Sequence, residues 1–416
     1  MKPTFTLIGS TILYDMEIKK ARKMNNIHTI GLYINDILYN TGGTESYTVK
    51  LCYALQQIYP EAHISFISEC YKKEDALSSE DFIALSNKKY GTQIDSSRAD
   101  FISVPADKSN KLGTILLRKR LINISRKFDL FFYCSRGNYV FKAKKNIHIV
   151  HFPTKPIAVQ KKGANLLVIW YEKLKDKAYI NAYDIFLPNS KFTEKHFKHI
   201  WQGINDEKIN QVTKVSYPAV TGIEDLHLPK ENLILVLSRI EKSKHLETLI
   251  DAYKSSVYLT QNYKMVIAGG LTKSLENYRT ELEKRANGAN IEFIVNAPFS
   301  KITELYNKAS IFWHCKGFEI DENKEPELME HFGMSTVEAM SAGCVPVVIN
   351  AAGQKETVNE ECGYRWNTVE ELVKYTEEIA KNPEKMKSLA EAAKERANLF
   401  TMESFIKNMK EILSAL

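Results

Sequence analysis

Along this chain, short apolar runs rich in strand-forming residues alternate with longer stretches whose apolar positions recur every three or four residues. That alternation is the pattern of parallel strands joined by crossover helices. In the first half it predicts strands at His28–Asn35, Ala62–Ser68, Phe101–Val104, Asp129–Cys134, Ile147–His151 and Asp184–Pro188. In the second half it predicts Leu233–Ser238, Lys264–Ala268, Ile291–Val295, Ser310–Trp313 and Val345–Asn350. The fold class that follows is α/β, with two doubly wound parallel-sheet domains facing across a cleft, each taking ligands at the carboxyl ends of its strands. From Tyr217-Pro218 to Pro229 prolines and a glycine break the periodicity, so domains of residues 1–217 and 218–399 are expected. A closing helix within Phe400–Leu416 aligns Phe405, Met409, Ile412 and Leu413 on one face, able to pack back on the first domain or onto the second.

Composition narrows the class. The 416 residues, 44% hydrophobic and 26% charged, suit a globular protein with a large core. The net charge of +7 is modest and dispersed, which fits phosphate ligands or an anionic membrane surface; no nucleic-acid recognition module is visible. Cys52, Cys70, Cys134, Cys315, Cys344 and Cys362 lack Cys-x-x-Cys spacing, so neither a disulfide framework nor a zinc site is suggested and a reducing, cytoplasmic setting is expected. No apolar run approaches the roughly 20 residues of a membrane span. The stretch Phe5–Tyr14 is interrupted by hydroxyls and followed by Asp15, which reads as a strand or an unusual leader and not as a signal peptide.

Four segments carry candidate chemistry. Glu330-His-Phe-Gly-Met-Ser-Thr-Val-Glu338 sets two carboxylates eight positions apart across a helix start. Gly333 there permits a close backbone approach, and the free N–H groups at the helix start are placed to face phosphate. An acidic residue in a first helical turn is also favourable in any protein. Asn40-Thr-Gly42-Gly43-Thr44-Glu45 follows a strand and opens a helix, an anion site or an ordinary glycine-bearing turn, without the spacing of dinucleotide folds. In Ser238-Arg239-Ile-Glu-Lys-Ser-Lys244 two cations at a strand's carboxyl end can converge on a diphosphate, or else belong to a solvated loop. In Asn146-Ile-His148-Ile-Val-His151-Phe-Pro153-Thr154, alternation lets His151 emerge at the strand end, where it can bond a hydroxyl, while His148 reads as a core histidine.

Taken in order, Gly42-Gly43-Thr44-Glu45, His151-Phe-Pro-Thr154, Asn189-Ser190, Arg239 with Lys244, Gly269-Gly270 and Glu330 with Glu338 resemble the retaining family 4 glycosyltransferases of the two-Rossmann GT-B fold. The wording of Glu330-His-Phe-Gly and His151-Phe-Pro-Thr is similar to mannosyltransferases that extend lipid-linked oligosaccharides. The resemblance implies that Glu338 binds the nucleotide ribose, Glu330 meets the donor sugar, Arg239 and Lys244 hold the diphosphate, and His151 touches the transferred sugar. Gly42, Gly43 and the amides of Phe332 to Ser335 would complete the cradle. It implies a nucleotide-diphosphate sugar, UDP- or GDP-linked, as substrate with no cofactor, a saccharide or lipid-linked saccharide as acceptor, and a front-face reaction without an enzyme nucleophile. The absence of Asp-x-Asp removes the usual cue for a bridging metal, so no metal ligands are assigned. Three departures stand out: His245 replaces the usual glycine after the diphosphate lysine, Phe318–Met329 is an acidic insertion, and Gly353 alone replaces a two-glycine turn. A nucleotide-sugar epimerase of the same fold and a non-catalytic sugar-nucleotide binder are the competing functions. The segment from Ala164 to Lys177, with Trp170 and Lys173, suits an anionic membrane surface at the inner face, or a crossover helix with its apolar face on the sheet.

Overall fold

The computed structural model describes residues 26–40, 42–75, 77–160 and 165–416; the Phe5–Tyr14 stretch lies outside them. The first sheet contains β1 (Thr29–Ile34), β2 (His63–Cys70), β3 (Ala99–Pro105), β4 (Leu130–Tyr133), β5 (Lys145–Val150) and β6 (Ile185–Pro188). The second contains β7 (Glu231–Leu237), β8 (Lys264–Gly269), β9 (Ile291–Val295), β10 (Ala309–His314), β11 (Val345–Ile349) and β12 (Tyr364–Trp366). Their orders are β3-β2-β1-β4-β5-β6 and β12-β11-β10-β7-β8-β9, with the paired strands parallel. Numbered from its own first strand, each sheet runs 3-2-1-4-5-6, so the two doubly wound parallel sheets read from the sequence are the ones observed.

Helices covering both faces explain why these strands read as continuous apolar runs. In β1, Ile30, Leu32 and Ile34 join a core with Leu51, Leu55 and Phe66, while Tyr33 turns to a second core holding Phe131, Tyr133, Tyr179 and Trp201. The second sheet is covered likewise by Leu249, Tyr253, Trp313, Leu372 and their neighbours. The three-residue edge strand β12 was not foreseen, because three residues are too few to show a period. The lysine-rich stretch 370–396 divides into helices Val369–Ala380 and Pro383–Ala397, where Asn382 caps and Pro383 opens the second.

By contacts, one unit runs to Asn189, resumes at Thr193–Ala219 and takes in Met402–Leu416. The other comprises Ser190–Phe192 and Val220–Thr401. The closing helix, Met402–Leu413, buries Phe405, Met409 and Leu413 in the first unit's core, with Phe405 edge-on to Tyr47 of the helix Gly43–Ile58. Burying each such side chain stabilises by about 2 kcal/mol. All six cysteines are free and buried. No helix among the described residues is long and apolar enough to cross a membrane.

Candidate active site

In the second unit β7 and β10 are neighbours at the point where strand order reverses, and a doubly wound sheet opens its ligand crevice at that point, beyond the carboxyl ends. β7 delivers Ser238-Arg239, and β10 ends in His314 followed by Cys315-Lys316. The Ser238 loop lies so close to β8 that a Cβ on Gly269 would stand 1.7 Å from the Ser238 carbonyl oxygen, and only glycine fits there. Hydrogen bonds from Ser238 N–H to Ala268 O and from Ile240 N–H to Gly270 O fasten the loop.

Glu330 is the centre of the site. Its Oε2 lies 3.2 Å from Lys244 Nζ, 3.4 Å from His314 Nε2 and 4.0 Å from Lys316 Nζ. Burial opposes the carboxylate charge, but Lys244, then His314 and Lys316, more than offset it and hold the carboxyl well below its usual range. Burial pulls the proton affinities of His314 and Lys316 down, and Glu330 pulls them partly back. Arg239 is largely exposed and pairs with Glu241 at 3.1 Å, so it does not join this ion cluster.

Past Glu330 the chain turns at Gly333, whose φ of +96° is left-handed, and enters the helix Met334–Ser341. No side-chain hydrogen bond caps that helix start. One turn on, Glu338 Oε2 accepts from the Tyr306 hydroxyl at 2.9 Å, which fixes the carboxylate. His245 takes the left-handed conformation at φ +50°, which shows why glycine is usual at that position. Its ring meets Phe318 of the acidic insertion edge-on, and Phe318 also packs on Trp366. Glu322 of the insertion accepts from Ala352 N–H at 3.0 Å and pairs with Lys355 at 3.1 Å. The insertion therefore braces the loops after β7 and β11 and is not a free surface loop.

The other predicted residues lie in the first unit. His151 is the residue after β5, its ring edge-on to Tyr47 at 5.4 Å and its Nε2 buried without a hydrogen-bond partner. Burial, helped by Arg136, lowers its pKa to about 4, so the ring is neutral at neutral pH. His148 is a core residue between the Tyr179 hydroxyl at 2.6 Å and the Ser135 carbonyl at 3.1 Å. Gly42 precedes the helix Gly43–Ile58 without a side-chain cap, and Glu45 folds its carboxylate toward that helix start, Oε2 lying 3.1 Å from where a Gly42 Cβ would be. Any ligand anion at Gly42-Gly43 meets that carboxylate there.

His314, Lys316 and Tyr306 were not foreseen. For the first two the signal was available: the predicted strand stopped at Trp313, one residue short of a histidine and three short of a lysine at a carboxyl end. Tyr306 lies on the helix Phe299–Lys308 and reaches Glu338 only through the fold.

Residues 223–396, which span this whole constellation, match the family model described as glycosyl transferases group 1. Over that segment the chain is similar to the group 1 glycosyl transferases. Among curated proteins it is 26% identical over 242 residues to the Dictyostelium discoideum GDP-Man:Man(3)GlcNAc(2)-PP-Dol alpha-1,2-mannosyltransferase, covering 53% of this chain and 45% of that protein. It is 22% identical over 282 residues to an alpha-1,3/1,6-mannosyltransferase of Rhizomucor pusillus, covering 60% and 62%. The matched segments thus span about half to three-fifths of these relatives. Among solved structures, Anabaena HepE in complex with UDP and glucose superposes with a TM-score of 0.64 at 15% identity, covering 94% of this chain and all of that one. A glycosyltransferase from Rickettsia africae gives 0.66 at 16%, covering 94% and 98%. These superpositions establish the shared GT-B fold.

Proposed function

We propose that this protein is a retaining glycosyltransferase that moves a hexose from a nucleotide-diphosphate sugar to a saccharide or lipid-linked saccharide. The curated relatives favour GDP-mannose as the first donor to test. The observation that carries the reading is the ion cluster of Lys244, Glu330, His314 and Lys316 at the strand-order reversal, beside an uncapped helix start.

In this reading the second domain binds the donor. Glu338 takes the ribose hydroxyls, the amides from Phe332 to Ser335 and the Gly333 turn cradle phosphate and sugar, and Lys244 holds the diphosphate. Arg239, exposed and flexible in reach, swings onto the same diphosphate. Positive charge placed where the leaving group develops its negative charge is the main catalytic effect expected. Glu330 contacts the sugar on its reacting face. In the first domain a neutral His151 can accept or donate a hydrogen bond to a sugar without adding charge. As the bond from the anomeric carbon to phosphate breaks, the departing phosphate oxygen takes the acceptor hydroxyl's proton and the acceptor oxygen bonds the same face. Arg239 and Lys244 supply the charge that a metal would otherwise supply, so transfer in the presence of a chelator is expected.

A lipid-linked acceptor fits a peripheral position on the cytoplasmic membrane face. On the helix Leu166–Ala182, Leu166, Leu167, Trp170 and Tyr171 are exposed and not packed on the sheet, while its two acids, Glu172 and Asp176, are buried. The charges it shows are Lys173, Lys175 and Lys177. An exposed apolar face bordered by lysines suits anionic lipid, and unchanged flotation of Trp170→Ala and Lys173→Ala variants with anionic vesicles would remove this helix from the reading.

Thermal shift against GDP-, UDP- and ADP-sugars, then incubation with acceptor, tests the whole. Transfer with retained anomeric configuration supports the proposal. Isomerised donor without transfer would make the protein an epimerase, and stabilisation without turnover a binder.

A further inference from the structure

In the first unit the loop after β1 winds back on itself, the N–H groups of Tyr39 and Asn40 both donating to the Asp36 carbonyl at 3.0 Å. The turn lifts the Tyr39 ring into solvent, 40% exposed, beside the ring of Tyr71 just past β2, 42% exposed. Their centroids are 5.3 Å apart and the planes tilt by 40°.

Both rings are fastened from beneath. The Tyr71 hydroxyl lies 2.8 Å from Glu69 Oε2 and 2.9 Å from Asp36 Oδ1, and it accepts from Lys108 Nζ at 3.0 Å. The Tyr71 N–H donates to the Tyr39 hydroxyl at 3.0 Å. Glu69 itself is fully buried, accepts from the Tyr33 hydroxyl at 2.7 Å and pairs with Lys108. A buried carboxylate is costly unless paired. Here its partners are the groups that hold two aromatic faces toward solvent. Asp36, Tyr71 and Lys108 follow β1, β2 and β3 in turn, so the cluster stands on the carboxyl edge of the sheet, where such folds take ligands. The donor chemistry uses none of it.

We infer that Tyr39 and Tyr71 form a saccharide-binding platform on the first unit, with Asp36 and Lys108 as hydrogen-bonding groups at its margin. The inference rests on the transferase reading, in which this domain receives the acceptor. A pyranose presents a face of C–H groups and a rim of hydroxyls. Paired tyrosine rings take the face, and a carboxylate and an ammonium at the margin take the rim. The charged margin suits a sugar better than an apolar peptide, and rings already fixed lose little freedom on binding.

Binding of mannotriose, with cellotriose as second probe, is measured by saturation-transfer NMR and titration on the full chain. Tyr39→Ala and Tyr71→Ala should each weaken binding at least about fivefold, with thermal shifts by GDP and UDP unchanged. Photochemically enhanced tyrosine NMR on the wild-type protein, which needs no variant to fold, should lose the Tyr39 and Tyr71 signals when sugar is added. No binding of either sugar at millimolar concentration, equal binding by the alanine variants, or tyrosine signals indifferent to sugar would each overturn the platform. Sugar binding here in a protein that neither binds nucleotide nor transfers would leave the platform standing and remove the transferase reading.

Discussion

Lys244 and Glu330 are 86 positions apart in sequence, yet their charged atoms stand 3.2 Å apart beneath a helix start. The pair closes the loop after β7 onto the loop that leads into the helix Met334–Ser341. In Glu330→Gln, Lys244, His314 and Lys316 lose their common counter-charge. Because the folded carboxyl is held below its ordinary value of about 4.3, its contribution is full above that pH and lost as pH falls toward the folded value. The variant should therefore be less stable than wild type by about 2 kcal/mol at pH 7, with the gap narrowing below about pH 4. Urea unfolding at both pH values checks this, and transfer should fall by at least about a hundredfold.

Lys316 acts on the same carboxylate from the other side. In Lys316→Met one of the two lysines beside the carboxylate is gone, so the Glu330 carboxyl should become easier to protonate. The acidic limb of kcat/KM for transfer should move to higher pH by about half a unit to one unit, while the donor KM stays within about twofold. A donor KM that rises instead would mean that Lys316 binds the donor itself.

Gly269 is the tightest steric constraint at the site. Gly269→Ala forces a Cβ into the Ser238 carbonyl, so the loop carrying Arg239 has to shift. A loss of about 3 kcal/mol in stability is expected, together with weaker donor binding in the thermal-shift assay. A variant of wild-type stability would show that the loop is free to move.

The two histidines of β5 and its exit give a pH signature of their own. Burial lowers His148 to about 3 and His151 to about 4, against roughly 6.5 in an unfolded chain. The unfolded state therefore binds more protons between these values, and stability should decline as pH falls from about 6.5 toward 4. In His151→Asn the decline should be shallower by up to about one proton's worth of slope. Chemical unfolding at closely spaced pH values resolves it.

His245 sits at a left-handed φ of +50°, and its ring touches Phe318. His245→Ala keeps the strained backbone and loses the contact, so it should be the less stable of two variants. His245→Gly relieves the strain and should exceed it by about 1 kcal/mol. Melting temperatures in the reverse order would mean that the left-handed backbone at this position carries no strain for a residue with a Cβ.

The strands were legible because each is buried on both faces and reads as an uninterrupted apolar run, as in Leu233-Ile-Leu-Val-Leu237. Glu330, Lys244 and Gly333 were legible because a short motif fixes their local geometry. His314 and Lys316 were legible only as polar residues at a strand's carboxyl end, since what ties them to the site is a neighbour 14 to 16 positions on, past an insertion whose bracing contacts come from other loops. Arg239 was expected beside Lys244, yet its guanidinium turns to Glu241 two residues away. A loop charge takes the nearest counter-charge, and no spacing rule records that choice. Tyr39 and Tyr71 carried no motif either, because exposure and orientation belong to the folded chain.

The Val220 N–H donates to the Phe400 carbonyl at 2.7 Å, so the polypeptide enters and leaves the second unit at neighbouring points. Phe405, Met409 and Leu413 then complete the core of the first. During synthesis the first unit therefore waits for the last segment to emerge from the ribosome, while the second already has all of its strands. Apart from Ser190–Phe192, the second unit is in effect a cassette with two adjacent seams, and residues 220–401 form a block that can be exchanged without cutting the first unit's core.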